Sequence, residues 1–231
     1  QGSTATVNGT LVHHVAETVA NCAINGTDYD GELLRQEASD YIDKFRGKEE
    51  YDISSIESTW KDMGEALVKE YVINTNIVAT ELYEQLELIP NVYLAGTMDA
   101  IVSSAPTDTW EDIKAGKHVG SITVRDWKTA STKPSSFNYA YTLQAYCYAY
   151  LLTKSGVKID NVELCFVVKA TKTLPIRTFN FIKPFDSQAF DFIEGILKLI
   201  GESVQCFKDW PDMQYLLASD YRLKNNDIPR P

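Results

Sequence analysis

Hydrophobic side chains near the start of the chain recur at the spacing of an α-helix. Between residues 10 and 24 they share one helix face, while His13 and Glu17 lie one turn apart on the opposite face. Thr10 has the residue type and the position of an N-cap for this helix. Two more helices are predicted to follow, over residues 31–46 and 55–74. The first part of the chain is therefore predicted to be mostly helical.

From Ile77 onward the chain changes to runs of β-branched and aromatic residues separated by turn formers. Three runs predict a meander of strands, over residues 77–89, 92–103 and 121–129. The stretch from Pro106 to Gly120 is predicted to be a loop. The remaining elements are predicted as a helix over 136–155, strands over 162–170 and 176–182, and an amphipathic helix over 186–208. This order predicts an α/β fold.

The size and composition of the chain suit one compact domain. It has 231 residues, of which 44% are hydrophobic and 23% are charged, enough to bury a full core. We predict a single domain over residues 1–231, with a helical N-terminal portion over about 9–75 and a core over about 76–210. No apolar run approaches the ~20 residues that cross a bilayer, and no signal-peptide pattern is present. An intracellular protein without a membrane partner is expected.

Charge is distributed unevenly along this acidic chain. The formal net charge is −10, which argues against a protein that coats nucleic acid through its overall charge. Residues 1–112 carry −15, residues 113–183 carry +8 and residues 184–231 carry −3. A basic central third suits a local phosphate-facing surface, but solvated loops would give the same count. Charge alone leaves both interpretations open.

The four cysteines are scattered, and none of them forms a CxxC pair. Their positions are Cys22, Cys147, Cys165 and Cys206. Reduced and mostly buried thiols are the expected state. The spacing gives no support for an iron–sulfur cluster, which needs four thiolates in one place, and none is expected.

The sharpest chemical feature is an Asp-Trp-Lys triplet on a predicted strand. Side chains alternate along a strand, so Asp126 and Lys128 project from the same face about 7 Å apart, at roughly 3.3 Å of rise per residue. If the preceding strand pairs with this one, Asp99 joins them. Two carboxylates with a nearby lysine can hold a hard cation beside a charge-stabilising group. Taken alone, such a triplet is more often a surface ion pair.

Two residue pairs on predicted helices add to this signal. His13 and Glu17 share a helix face away from the apolar stripe, where a lone histidine is ordinarily just solvated. Gln144 and Tyr148 are again four residues apart, in a tyrosine-rich run that by itself fits core packing better. Each pair is therefore weak evidence when taken separately.

Taken together, the motifs follow a fixed order along the chain. They are Gly-Thr-x-x-His-x-x-x-Glu at 9–17, Gly-x-x-Asp at 96–99, Asp-x-Lys at 126–128 and Gln-x-x-x-Tyr at 144–148. This order on a helix, two strands and a helix resembles the RecB-like nucleases of the PD-(D/E)XK superfamily. In length and layout the chain is most similar to stand-alone phage and CRISPR-associated exonucleases, because no helicase motif is present.

The resemblance implies a restriction-endonuclease-like fold, in which a central mixed β-sheet of about five strands is flanked by helices. It also implies one or two Mg²⁺ or Mn²⁺ ions, which accept oxygen and imidazole ligands. Lys128 is then expected to orient the attacking water and to stabilise the charge of the transition state. The implied ligands are His13, Asp99, Asp126 and the backbone carbonyl of Trp127.

The same resemblance gives supporting roles to further residues. Gln144 and Tyr148 are expected to position the nucleic-acid backbone. Basic residues nearby are expected to help them: Lys133, Lys169, Lys172 and Arg177. Glu81 is a weaker candidate as a metal ligand or as support for one. Glu17 is expected to support His13, since metal-bound imidazoles usually donate their second nitrogen to an acceptor.

The resulting hypothesis is a metal-dependent DNA exonuclease that acts in recombination, repair or phage DNA processing, in the cytoplasm of a bacterium or of a phage-infected cell. Within the same class, the alternative is a structure-specific endonuclease or nickase. Two alternatives lie outside the nuclease class: a non-catalytic nucleic-acid-binding module, and an acidic interaction protein that has no active site. DNA is the expected partner. Further expected partners are a single-strand-annealing or recombination protein and a second copy of the chain.

Overall fold

A computed structural model of the chain describes residues 3–134 and 138–209, with backbone only for 207–209. Its helices are α1 Thr4–Asn25, α2 Gly31–Asp43, α3 Ile53–Glu57, α4 Trp60–Tyr71, α5 Trp110–Lys114, α6 Tyr139–Lys154 and α7 Ser187–Asp209. Its strands are β1 Asn76–Ile89, β2 Val92–Ser103, β3 Ile122–Ala130, β4 Asn161–Val168 and β5 Arg177–Pro184. The strands that the sequence predicts are all present, within two residues at each end.

The strands form one mixed sheet in the order β1-β2-β3-β4-β5. Neighbouring strands are antiparallel except for β3 and β4, which are parallel and joined through α6. A parallel pair needs such a crossover, since a short turn returns the chain antiparallel. The predicted α/β fold, with a five-stranded mixed sheet flanked by helices, is confirmed.

Two hydrophobic clusters cover the two faces of the sheet. On the first face, α1 to α4 pack against side chains of the sheet that include Ala100 and the fully buried Trp127. On the second face, α5, α6 and α7 pack against side chains that include Met98 and Ile122. We call these the α1 face and the α6 face. The helical N-terminal portion therefore forms one layer of the fold.

The start of α1 differs from the prediction. The N-cap is Ser3, whose hydroxyl accepts a hydrogen bond from the Thr6 backbone N–H. Thr10 lies inside the helix and donates its hydroxyl to the Thr6 carbonyl, so its prediction as the cap is wrong. The apolar stripe extends one turn further upstream than predicted, because Val7 is also buried. The longer helix places His13 near its middle rather than in its first turn.

Two other predicted elements are wrong in detail. The single helix expected over residues 55–74 is divided into α3 and α4, with the break at Ser58 and Thr59. The loop expected between Pro106 and Gly120 contains α5, which begins at a capping box formed by Thr109 and Asp112. Both errors concern short helices, whose few residues give little periodic signal.

The four cysteines are free thiols. Cys165 is buried, and Cys22 and Cys147 are half-buried. Cys206, near the end of α7, is exposed, so the prediction of buried thiols does not extend to it. Within the described ranges, no helix combines the length and the apolar character that crossing a bilayer requires.

Candidate active site

The central feature of the site is a fork between β2 and β3. Backbone pairing of these strands ends at Ala100 and Arg125. One residue further, Asp99 replaces the missing backbone partner, since its Oδ2 accepts a 2.6 Å hydrogen bond from the Trp127 N–H. We call the opening between Asp99 and residues 126–128 the fork. A gap between two strands admits side chains from both faces of the sheet, which a closed ladder would separate.

The alternation of side chains reverses in β2 at the edge of the fork. Met98 packs on the α6 face, whereas Ala100 packs on the α1 face, although residues two apart in a regular strand share a face. Asp99 lies at the reversal. Directly opposite in β1, Glu81 has a left-handed backbone with φ of 45°. Such a conformation costs a non-glycine residue about 1–3 kcal/mol, and residues of this kind cluster at functional sites.

On the α6 face, Lys128 is held by two partners. Its Nζ lies 2.7 Å from Asp126 Oδ2 and donates a 3.2 Å hydrogen bond to Gln144 Oε1. Gln144 Nε2 in turn donates to the hydroxyl of Tyr148 at 2.8 Å. Gln144 and Tyr148 therefore form a chain of hydrogen bonds that fixes the ammonium group beside the carboxylate.

A glycine makes room for the far end of this chain. A Cβ at Gly96 would lie 2.6 Å from Cε1 of Tyr148, closer than two non-bonded carbon atoms can approach. The aromatic ring of Tyr148 thus rests directly on the backbone of β2. The Gly-x-x-Asp motif serves two purposes: Asp99 enters the fork, and Gly96 lets α6 approach the sheet.

His13 reaches the fork from the opposite face. Its Nδ1 lies 3.6 Å from Asp99 Oδ1, and its ring packs edge-on against the buried Trp127, with centroids 6.2 Å apart. The close approach of α1 to β3 depends on Gly9, where a Cβ would lie 3.2 Å from the Thr129 hydroxyl. The first motif therefore carries a glycine that allows close packing and a side chain that reaches the fork, as the second one does.

Burial and charge perturb the acid–base behaviour of the fork. Burial raises the pKa of Asp126 to about 6, against the opposing effect of Lys128, and the nearby Asp99 raises it further. Burial opposes protonation of His13, but its contact with Asp99 and the charge of Asp126 raise its pKa overall. A bound cation stabilises a partly buried site that contains several carboxylates.

The donor set of the fork fits a hard divalent cation. It offers two carboxylates and an imidazole, and the Trp127 carbonyl also faces the opening, because the N–H and C=O of one strand residue point to the same side. Asp126 Oδ2 is buried without a hydrogen bond; its 2.7 Å contact with Lys128 supplies charge but lacks hydrogen-bond geometry. Among the described residues, no three His, Cys, Asp or Glu side chains form a closed ligand set. The candidate donors are thus neighbours in an open arrangement.

An acidic cleft of about 590 Å³ adjoins the fork on the α1 face. Burial raises the pKa of Glu81, and the neighbouring carboxylates of Asp99 and Glu17 raise it further. In the part of the chain that the structure describes, Glu17 makes no hydrogen bond with His13, whose nearest acidic partner is Asp99. The acidic side chains that line the cleft are Glu17, Glu37, Asp40, Glu81 and Asp99.

The four basic residues predicted to assist nucleic-acid binding do not form one group. Lys133 and Arg177 both lie over the ring of Phe179 on the α6 face. Lys169 instead donates a 2.7 Å hydrogen bond to the hydroxyl of Ser55, toward α3. Lys172 is exposed in the turn between β4 and β5. Side chains alternate between the two faces of the sheet along the chain, and this alternation separates Lys169 from Lys133 and Arg177.

One protein-family model matches most of the chain. The model of the PD-(D/E)XK nuclease superfamily matches residues 1–177. The chain belongs to the PD-(D/E)XK nuclease superfamily. The match includes α1, both strands of the fork and α6, and so contains all four ordered motifs. PD-(D/E)XK nucleases hydrolyse nucleic acid and generally use divalent metal ions, so the chain is a hydrolytic nuclease with a nucleic-acid substrate.

Solved structures support the fold of this PD-(D/E)XK nuclease. A candidate exonuclease from Eubacterium rectale matches 99% of this chain and 70% of its own chain, with 14% identity and a TM-score of 0.51. A likeness at that identity shows the shared fold. A structure named SSO0001 covers 85% of this chain and 74% of its own, with 13% identity and a TM-score of 0.36, too low to support an argument. None of the curated proteins matches the chain.

Several features of the PD-(D/E)XK site have no counterpart in the sequence prediction. The Asp99 bond to the backbone of Trp127 and the left-handed Glu81 carry no composition signal. The spacing role of Gly96 could have been inferred, since a glycine within a strand often marks a close approach of another element. The hydrogen bond from Lys128 to Gln144 depends on how α6 crosses the sheet, which periodicity does not report.

Proposed function

We propose that this nuclease is a metal-dependent DNA exonuclease of the RecB-like branch, with Mg²⁺ or Mn²⁺ as its cofactor. The single observation that carries the proposal is the fork, where all four motifs converge. The residues that would hold the metal are His13, Asp99, Asp126 and the Trp127 carbonyl. Glu81 is proposed as a further ligand or as support for one, because it faces Asp99 and Glu17 in the acidic cleft.

The chain's own groups have distinct roles in the proposed hydrolysis. A bound divalent ion supplies Lewis acidity toward the phosphoryl oxygen and a more acidic water. Lys128 lies beside Asp126, where its ammonium group can orient the attacking water and stabilise the charge that develops on the phosphate oxygens. A cation that compensates the charge of Asp126 favours its ionised form. Gln144 and Tyr148 are proposed to position Lys128, rather than to contact nucleic acid directly.

Exonuclease action is proposed over endonuclease action for two reasons. The ordered motifs resemble those of stand-alone exonucleases, and the Eubacterium rectale protein of similar fold is named as a candidate exonuclease. The same resemblance supports a role in recombination, repair or phage DNA processing in a bacterial or phage-infected cell. It also supports a single-strand-annealing or recombination partner and a homo-oligomeric assembly.

The experiment compares end-labelled linear DNA with covalently closed circular DNA of the same sequence. With Mg²⁺ or Mn²⁺, we expect nucleotides to be released from the linear substrate and the circle to persist. Nicking of the circle would favour the endonuclease alternative. Intact linear DNA with both metals would contradict the proposal. The Lys128→Ala variant serves as the inactive reference, against which any release of nucleotides is compared.

A further inference from the structure

Three residues line up across the sheet from the fork to its edge. The strand register places Lys128 of β3 beside Phe166 of β4, and Phe166 beside Phe179 of β5. At about 4.8 Å between neighbouring strands, Phe179 lies roughly 10 Å from Lys128. Tyr141 of α6 bridges this row, with its ring contacting Phe166 and lying under the Lys128 ammonium group. The α6 face thus connects the fork to the β5 edge.

Two cations are held at the far end of this row. Lys133 Nζ lies 4.9 Å and Arg177 Cζ lies 5.8 Å from the ring centroid of Phe179. In residues 3–134 and 138–209, neither of them makes an ion pair with a carboxylate. Other basic side chains of this acidic protein do so, among them Arg35, Arg46, Arg125 and Lys154.

Arg177 also has an unsatisfied donor. Its Nε is buried and has no hydrogen-bond partner. A buried donor without an acceptor is costly, and a donor on a charged group more so. Because Nε is enclosed, an anion that arrives from outside is bound by the two terminal nitrogens of the guanidinium group, which carry its other four donors. The guanidinium group matches phosphate particularly well, because its donors are fixed in a plane.

The charges on the two sides of the fork favour one path for a phosphate backbone. Five carboxylates and one lysine, Lys44, line the cleft on the α1 face, so the cleft repels phosphates. The α6 face carries Lys133 and Arg177, and Lys128 there is paired with Asp126. A strand whose scissile phosphate lies at the fork therefore continues along the α6 face toward β5.

We propose that Lys133 and Arg177, held on Phe179, form an accessory phosphate-binding subsite that grips the nucleic-acid backbone a few nucleotides from the bond that is cut. This inference rests on the proposed nuclease function for its substrate. It assigns the subsite to the α6 face, at the β5 edge of the sheet. Lys169, on the other face, and Lys172, in the turn, are not part of it.

The salt dependence of binding tests the subsite without any hydrolysis. Binding of a fluorescent oligonucleotide is measured by anisotropy in EDTA, at several salt concentrations, for the wild type and for the Lys133→Ala/Arg177→Ala variant. Each phosphate contact contributes about 0.7 to the slope of log K against log salt for a single strand and about 0.9 for a duplex. The slope should therefore fall by about 1.4 for a single strand or by about 1.8 for a duplex.

The matched control is Lys48→Ala/Lys61→Ala, which removes the same charge from exposed lysines outside the site. We expect its slope to change by less than half as much. Equal slopes for the wild type and the subsite variant, or equal losses in the subsite and control variants, would overturn the inference. The exposed Lys133→Ala change alone should lower the slope by about 0.7 for a single strand, so the test survives if the double variant folds poorly.

A kinetic measurement separates the subsite from the nuclease proposal. With Mn²⁺ present, loss of charge-assisted contacts should raise KM for DNA about tenfold or more in the subsite variant, with a smaller change in kcat. A fall in kcat with unchanged KM would overturn the inference. If the wild type hydrolyses no DNA, the nuclease proposal fails, and the slope in EDTA still decides whether the subsite exists.

Discussion

A single methyl group at Gly96 tests how Lys128, the proposed catalytic lysine, is positioned. In the Gly96→Ala variant the new Cβ would lie 2.6 Å from Cε1 of Tyr148. Ordinary contact begins near 3.4 Å, so the ring must retreat by about 0.8 Å. Tyr148 accepts a 2.8 Å hydrogen bond from Gln144, and a displacement of that size exceeds what such a bond tolerates. Gln144 then loses the partner that orients its carbonyl toward Lys128.

The magnitude follows from the bond that is lost. The lost hydrogen bond joins two neutral groups, an amide and a hydroxyl, so it contributes about 0.5–1.5 kcal/mol. If all of it serves to hold Lys128 in the transition-state geometry, kcat should fall by about twofold to tenfold. The extra methyl group should also cost about 1–3 kcal/mol of folding stability through overpacking. KM should change much less, because Gly96 lies beneath Tyr148 and not on the proposed path of the DNA.

The assay combines steady-state nuclease kinetics with thermal unfolding. Gly195→Ala is the matched control, since a Cβ there meets nothing within 4 Å; it should keep full activity and gain up to about 1 kcal/mol from helix propensity. Tyr148→Phe removes the hydroxyl without the clash, so it should lower kcat similarly while costing less stability. If Gly96→Ala loses stability but keeps the wild-type kcat, the chain of hydrogen bonds does not position Lys128, and the reasoning is refuted.

Three further predictions concern the fork and the sheet beside it. Lys128→Ala should bind DNA yet lose on the order of 10²-fold or more in kcat, as measured by anisotropy and single-turnover cleavage; near-normal cleavage would contradict its role. The pKa of Asp126 is raised to about 6, above its unfolded value, so its ionisation destabilises the metal-free protein as pH rises through 6. Asp126→Asn should therefore raise Tm in EDTA at pH 8, with little effect at pH 4, and should abolish Mn²⁺ binding in calorimetry; an unchanged or lower Tm at pH 8 would refute this. Arg125 and Glu163 form a buried ion pair at 2.7 Å, so Arg125→Met should cost about 3–5 kcal/mol in chemical denaturation, whereas a loss below 1 kcal/mol would show that the lone carboxylate is readily accommodated.

Much of the fold follows from local patterns in the sequence. The five strands have the β-branched and aromatic content that such elements need, and β4 is an almost continuous apolar run because both of its faces are covered. The helices are recognisable where the apolar stripe is long. Thr10 was assigned as a cap, and α5 was missed, because helix ends and short helices depend on single side-chain contacts. The single-domain organisation stays a prediction.

The sequence by itself also determined which chemical groups are available. The order of His13, Asp99, Asp126 and Lys128 on their elements is a property of the chain, and alternation along β3 already places the last two on one face. Those regularities are local, so they can be read without coordinates. The structure places Lys169 toward α3 and Arg177 on the α6 face, a separation that local charge counts do not report.

Only the tertiary structure decided how groups from opposite faces of the sheet meet. A regular ladder would keep His13 of α1 apart from Lys128, because a paired sheet separates its two faces. The ladder ends at Ala100, the alternation of β2 reverses at Asp99, and the carboxylate takes over a backbone hydrogen bond of β3. Each of these depends on contacts between residues distant in sequence. The site therefore exists where the regular pattern that the sequence encodes is interrupted.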